Sequence, residues 1–171
     1  MKQKLLLLLF ATASFANITN IQSFEADFVQ KIVDDKNKTI FYYGHIKAQR
    51  PQFALWEYKK PIIKSVYILQ NEAVIVEPEL EQAIVKKIGS NFDFFQLMKN
   101  AKKIAKNSYR AKFNNTNFII KLDANKITSI SYKDEFENNV TIDFSHQVEN
   151  KKIDKKAFEP HIPDDYDIIR N

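Results

Sequence analysis

The sequence predicts a mainly β protein, one curved antiparallel sheet, open or partly closed, with a single helix among its strands. Three observations lead there. About ten segments alternate apolar and polar residues with the two-residue period of a half-buried strand. The gaps between them are short and rich in Asn and Asp, which adopt turn geometry at modest cost. One stretch alone repeats its apolar residues at helical spacing.

The first strand covers Phe24 to Ile32, with Phe24, Ala26, Phe28 and Ile32 on one face. Asp34-Asp35-Lys36-Asn37 reads as a turn. The second strand, Ile40 to Gln49, places Ile40, Tyr42, Gly44, Ile46 and Ala48 on one face, and Arg50 falls in the same register. Pro51 ends or bends this strand, because it cannot donate to a ladder. Phe53 to Tyr58 follows, then Pro61, then Ile62 to Leu69; Ala73 to Val76 and Gln82 to Ile88 complete a meander of six. Glu79 and Glu81 fall on one strand face and read as its solvent side. The helical stripe is Phe94, Leu97, Met98, Ala101, Ile104 and Ala105, preceded by the capping candidates Ser90, Asn91 and Asp93. Its other face carries Lys99, Lys102, Lys103 and Lys106, a solvated face or a surface for an acidic partner. Strands resume at Tyr109 to Phe113, Phe118 to Asp123, Ile127 to Lys133 and Val140 to Ser145. With only Gly44 and Gly89 as glycines, Asn114-Asn115, Asp123-Ala124-Asn125 and Glu137-Asn138-Asn139 carry the turns. Lys151 to Lys156 reads as a turn region, and Phe158 to Ile169 as an irregular extended stretch.

Residues 1–16 stand apart. Lys2 and Lys4 precede the apolar run Leu5 to Phe10, and Ser14-Phe15-Ala16 offers small residues where a signal peptidase cuts. The run is far shorter than the ~20 residues that span a bilayer, so a cleaved export signal is expected, followed by one domain over 17–171. Without Lys2 and Lys4 the net charge falls from +5 to +3. The basic balance then argues little for nucleic acid. The chain has no cysteine, hence neither a disulfide framework nor a lipid-acceptor thiol.

Catalytic and cofactor signatures are sparse. Two glycines cannot build a phosphate-cradling loop or a nucleophile elbow. Metal ligation would fall on His45, His146 and His161, and His161 with Asp164, Asp165 and Asp167 reads best as a solvated tail. No enzyme, cofactor or metal is expected. What stands out is a long aromatic inner face: fourteen Phe, seven Tyr and one Trp, enough for a filled core or for the walls of an apolar cavity. Arg50 is the oddity, because a guanidinium is always charged and needs acceptors if buried. Either the register breaks at Pro51 and Arg50 snorkels outward, or its donors bond carbonyls of a covering helix or loop as a releasable latch.

The segment Phe24-x-Ala-x-Phe-x-Gln30, then Gly44, then Arg50-Pro51-Gln52-Phe53-Ala54-Leu55-Trp56-Glu57-Tyr58-x-x-Pro61, resembles the LolA family of outer-membrane lipoprotein carriers. Val76 to Ala83 and Phe158-x-Pro160 with Pro163 and Asp167 fit the same pattern, so the resemblance runs from about Phe24 to Asn171. It implies an unclosed antiparallel β-barrel with a helical lid over a hydrophobic cavity. It further implies a periplasmic carrier that binds lipoprotein acyl chains and shuttles lipoproteins from the inner to the outer membrane. The partners it implies are an inner-membrane lipoprotein-releasing ABC transporter and an outer-membrane acceptor lipoprotein, the carrier itself being a monomer. The gating arginine falls on Arg50, the cavity tryptophan on Trp56, and the lid helix on Phe94 to Ala105. Two departures are visible. Only Asn17 to Gln22 is available for the family's N-terminal helix. Ala54 stands at the family's aromatic position two residues before the tryptophan, and parity sends Phe53 to the opposite face.

On this reading Phe24, Phe28, Ile46 and Trp56 line the cavity, and Phe94, Leu97 and Met98 form the lid's apolar face. One acyl chain of about sixteen carbons represents roughly 12 kcal/mol against water at ~0.8 kcal/mol per methylene, so the carrier must offer comparable apolar surface. The alternatives are a lipid or glycolipid binder on the same fold, since hydrocarbon walls do not read head groups, and an exported interaction module with a filled core.

Overall fold

The computed structural model describes residues 20–88 and 94–170. The expected export signal and the capping candidates Ser90, Asn91 and Asp93 lie outside the described residues, as does most of the segment before Gln22.

Among the described residues twelve strands form one sheet: β1 (Ser23–Val33), β2 (Thr39–Gln49), β3 (Phe53–Lys60), β4 (Lys64–Ile68), β5 (Glu72–Glu77), β6 (Gln82–Lys87), β7 (Lys102–Ala105), β8 (Ser108–Phe113), β9 (Thr116–Asp123), β10 (Lys126–Lys133), β11 (Asn139–Glu149) and β12 (Asp167–Arg170). Their order is β12-β6-β5-β4-β3-β2-β1-β11-β10-β9-β8-β7. All neighbours pair antiparallel except β12, which runs parallel to β6. β1 is the hinge of the arrangement, with β2 to β6 as one wing and β11 back to β7 as the other. The edges β12 and β7 do not pair with each other, so the sheet stays unclosed.

One helix, α1 (Phe94–Lys99), is described. It lies on the connection from β6, beside one edge, to β7, at the opposite edge. The chain must therefore travel from wing to wing, and it does so over the inner face, where Phe95, Leu97 and Met98 are buried in one cluster with Phe24, Ile46, Ile120 and Phe144. The helix is shorter than its spacing predicts. Asn100 N bonds Gln96 O and Ala101 N bonds Met98 O, the tightening of a last turn. Lys102–Ala105 then leaves the helical path and pairs with β8. Ile104 fits the 3.6-residue stripe by coincidence; on β7 it is exposed. A local hairpin that satisfies one side of β8 outcompetes two further helical turns whose other face is lysine. Two smaller expectations also change. Glu79 and Glu81 do not share a strand face: Pro78–Leu80 is a 3-10 turn and Glu81 closes it with a left-handed backbone, φ 50°. The irregular C-terminal stretch ends in a real strand, β12.

Apolar residues sit on both faces of the first wing. On the inner face Ala54 and Trp56 belong with the main cluster; on the outer face Leu55, Tyr67, Val74 and Val76 form a second one. The segment after β11 covers that outer cluster with Ile153 and Phe158, supported by Ile162 and Tyr166, before adding β12 at the edge. Phe53 takes the outer side, its ring 5.8 Å from that of Phe158. Gly44 is required by close approach. A Cβ there would lie 2.2 Å from the Glu57 carbonyl oxygen and 2.5 Å from Phe28 Cζ. The missing side chain leaves that space to the Phe28 ring.

Candidate functional site

Between α1 and the inner face of the sheet lies an apolar cleft of about 160 Å³. Alternation on β9, β10 and β11 aims Phe118, Ile130, Tyr132 and Ile142 into it from one wing. Trp56 and Ile68 reach it from β3 and β4, with Gln52 to Ala54 at the start of β3. Phe94, Phe95 and Leu97 close it from the helix. Ring contacts fix the walls: Phe118 and Tyr132 lie 4.9 Å apart, and Trp56 meets Phe28 edge-on at 5.1 Å.

The expected cavity residues divide. Trp56 lines the cleft. Phe24, Phe28 and Ile46 do not; they are buried in a layer behind the wall. Phe24 packs against Phe94 at 5.6 Å and Phe144 at 5.3 Å, and Ile46 stands opposite Trp56 across the β2–β3 ladder. In the helix Phe94 and Leu97 face the cleft, whereas Met98 is fully buried beneath it. The residues missed from sequence are Phe95 on the helix, Ile68 on β4 and, on the opposite wing, Phe118, Ile130, Tyr132 and Ile142. The alternation of these last four was visible, but nothing local says that β9 to β11 curve round to oppose β3.

Arg50 lies on the helix side of the sheet. Its Nε donates to the Ile21 carbonyl at 2.9 Å, and its guanidinium carbon sits 4.9 Å over the Phe95 ring. Its backbone N–H bonds Gln22 O. The side chain thus connects the end of β2, the chain entering β1 and the buried aromatic of α1. A carbonyl bond and a ring face together give a guanidinium in a half-buried place what it needs.

The phenols beside the aromatic layer are neutral donors. Burial raises the pKa of Tyr58 and that of Tyr132. Tyr58 donates to Gln30 Oε1 at 3.0 Å, which gives the buried amide oxygen a partner. The charged groups of the central strands lie on the other face. His45 bridges Asp27 at 2.8 Å and Glu25 at 3.0 Å, and His146 reaches the second Asp27 oxygen at 2.9 Å. A bulge turns His146 toward Asp27. The register against β1 slips between Glu25 and Asp27, and His146 takes φ 53°. Hydrogen bonds from His45 and then His146 hold the Asp27 carboxyl below its ordinary value. Among the described residues no three His, Cys, Asp or Glu side chains form a metal-ligand group, and no helix is long and apolar enough to cross a membrane.

The chemistry available in the cleft is therefore contact with hydrocarbon. The fold is similar to that of a LolA superfamily protein from Nitrosomonas europaea, with a TM-score of 0.53 over 82% of this chain and 91% of that one, at 7% identity. Residues 19–108 match the family described as "Outer membrane lipoprotein carrier protein LolA". An outer-membrane lipoprotein carrier protein from Campylobacter jejuni is 40% identical over 99% of both chains. One from Helicobacter pylori is 36% identical over 90% of this chain and 83% of its own. The chain belongs to the LolA outer-membrane lipoprotein carrier family.

Proposed function

We propose that this protein is a periplasmic carrier that holds the acyl chains of lipoproteins against the inner face of its sheet and shuttles them from the inner to the outer membrane. The family supports the carrier role. The observation that carries the mechanism is the apolar cleft under a short, side-chain-anchored helix. Its 160 Å³ is close to the ~150 Å³ cavity that admits one benzene, far too small for an acyl chain of about sixteen carbons. The described state is then the empty one, with α1 as a lid folded onto the surface that cargo needs. Cargo displaces Phe94, Phe95 and Leu97 and takes over their contacts with Trp56, Phe118 and Ile142. Regaining those contacts offsets part of the cost of release, so delivery to a better acceptor needs no nucleotide. Arg50 is the latch that favours closure, through Phe95 and the Ile21 carbonyl.

The reading assigns residues 1–16 to a cleaved export signal and 17–171 to one carrier domain. It calls for a donor, an inner-membrane lipoprotein-releasing ABC transporter, and for an outer-membrane acceptor, with no catalytic residue of its own. The test is ligand identification on protein purified from its native periplasm, with Arg50→Leu beside it. Triacylated lipoprotein on the wild type, and a variant that loads but delivers poorly to acceptor membranes, are expected. Normal delivery by Arg50→Leu would remove the latch. Recovery of glycolipid alone would change the cargo.

A further inference from the structure

Among the described residues eleven large apolar side chains are exposed. Five of them, Ile40, Phe41, Tyr43, Ile62 and Ile63, with exposures of 40–52%, lie on two neighbouring hairpins. Both turns, β1 to β2 and β3 to β4, are at the same end of the sheet, because β1 and β3 run toward it and β2 and β4 away. Phe41 stands opposite Lys31 and Tyr43 opposite Lys60 in the ladders. Ile62 and Ile63 occupy the β3–β4 turn itself.

The charge on these hairpins is one-sided. Lys31, Lys36, Lys38, Lys59 and Lys60 are all exposed. The acids are Asp34 and Asp35, and Asp34 is spent on its own turn, accepting from the Lys36 and Lys38 backbone N–H groups at 2.9 and 2.8 Å. The next hairpin along the rim, β10 to β11, is the opposite, with Asp134, Glu135 and Glu137 around exposed Phe136.

We propose that the β1–β2 and β3–β4 hairpin end is a membrane-docking surface that seats on a bilayer bearing anionic headgroups, with Ile62 and Ile63 entering the interface and the lysines meeting the headgroups. The patch combines the first residues of β2, Ile40, Phe41 and Tyr43, with the β3–β4 turn, so apolar and basic side chains share one end of the sheet. Phe and Tyr belong at the boundary between hydrocarbon and water, and lysine stems reach along it to the polar layer. Basic groups beside shallow apolar insertions are the pairing that reversible attachment to anionic lipid requires. Acidic turns flank the patch on both sides, Glu79 and Glu81 around exposed Leu80 between β5 and β6, and the β10–β11 hairpin beyond β1, so anionic contact is confined to the two basic hairpins. This surface is separate from the cleft, and its docking does not depend on what the cleft carries.

The test is co-sedimentation of the intact protein with vesicles of phosphatidylethanolamine and phosphatidylglycerol, and with phosphatidylcholine vesicles as the neutral control. Binding to the anionic vesicles that weakens with added salt is expected. Ile62→Ser/Ile63→Ser should lower the partition coefficient about tenfold or more, with an unchanged melting temperature because both side chains are exposed. Lys59→Glu/Lys60→Glu should lose only the preference for anionic lipid. Phe136→Ser should bind like the wild type. Absence of wild-type binding at low salt, equal binding by the isoleucine variant, or an equal loss in Phe136→Ser would each overturn the assignment. Capture of a protein by the patch without vesicle binding would do the same. Uptake of an apolar probe by the cleft, measured alongside, reports on the carrier reading separately.

Discussion

Replacing Phe95 by alanine should unlock α1 without unfolding the sheet. Phe95 is 1% exposed, packs edge-on against Phe94 at 5.4 Å and carries the Arg50 guanidinium on its face. Truncating such a ring costs about 3–5 kcal/mol. The helix has six residues, well under the ~12–15 at which isolated helices become even marginal, so its stability comes from the side chains that hold it down. If α1 opens on its own, the whole loss falls on that local equilibrium. At ~1.4 kcal/mol per factor of ten, amide exchange over α1 should accelerate by between roughly a hundredfold and a few thousandfold. The central strands β1, β2 and β11 should keep their protection. Hydrogen exchange read by mass spectrometry on peptides from the two regions decides it. An apolar fluorescent probe should bind the variant more tightly, because less of its binding free energy is consumed in opening the helix. Parallel acceleration in α1 and the central strands would refute the reasoning, since the helix would then belong to the sheet's cooperative unit. So would an α1 that exchanges as slowly as before.

Gly44→Ala should destabilise the protein by at least the ~1–3 kcal/mol of overpacking and lower the melting temperature by several degrees, because the Glu57 carbonyl in its way is backbone; adding Phe28→Leu should recover only the part due to the ring. Asp27 gives a pH dependence: its folded pKa lies below the ordinary 3.8, so its contribution is complete above that value and is lost as pH falls through the lowered one. Asp27→Asn should flatten the acid limb of a Tm-against-pH curve below about pH 4. Glu149 has the opposite sign. Its Oε1 is buried without a hydrogen-bond partner among the described residues, and burial holds its pKa above the ordinary 4.5, partly countered by Lys126. Stability from this group is present below 4.5 and lost as pH rises through the raised value, so Glu149→Gln should raise Tm at neutral pH and not in acid.

Local alternation was enough to find β1, β2 and the strands that follow, because each carries its apolar set at every second residue and is closed by Asn, Asp or Pro. It failed where two periods fit the same residues. Ala101, Ile104 and Ala105 satisfy a helical stripe, and only the backbone demand of β8 shows that Lys102–Ala105 is extended. β12 carried too short a signal, four residues whose place depends on β6 offering an edge. In the site, the register of β2 offered an inward Arg50 as one of two readings, and Trp56 came from the family resemblance alone. Which aromatics form the wall and which stand behind it was not legible. Phe24 and Phe118 alternate alike, yet Phe94 of α1 covers the first while the second borders the cleft.

Two spans of chain bind the wings together. One carries α1 from β6 across the front to β7; the other runs from β11 behind the first wing to β12, beside β6. The downstream end of the helix is tied closely, Lys99 being followed by β7 at Lys102, so any displacement of α1 is felt where β7 pairs with β8 at the rim of the second wing.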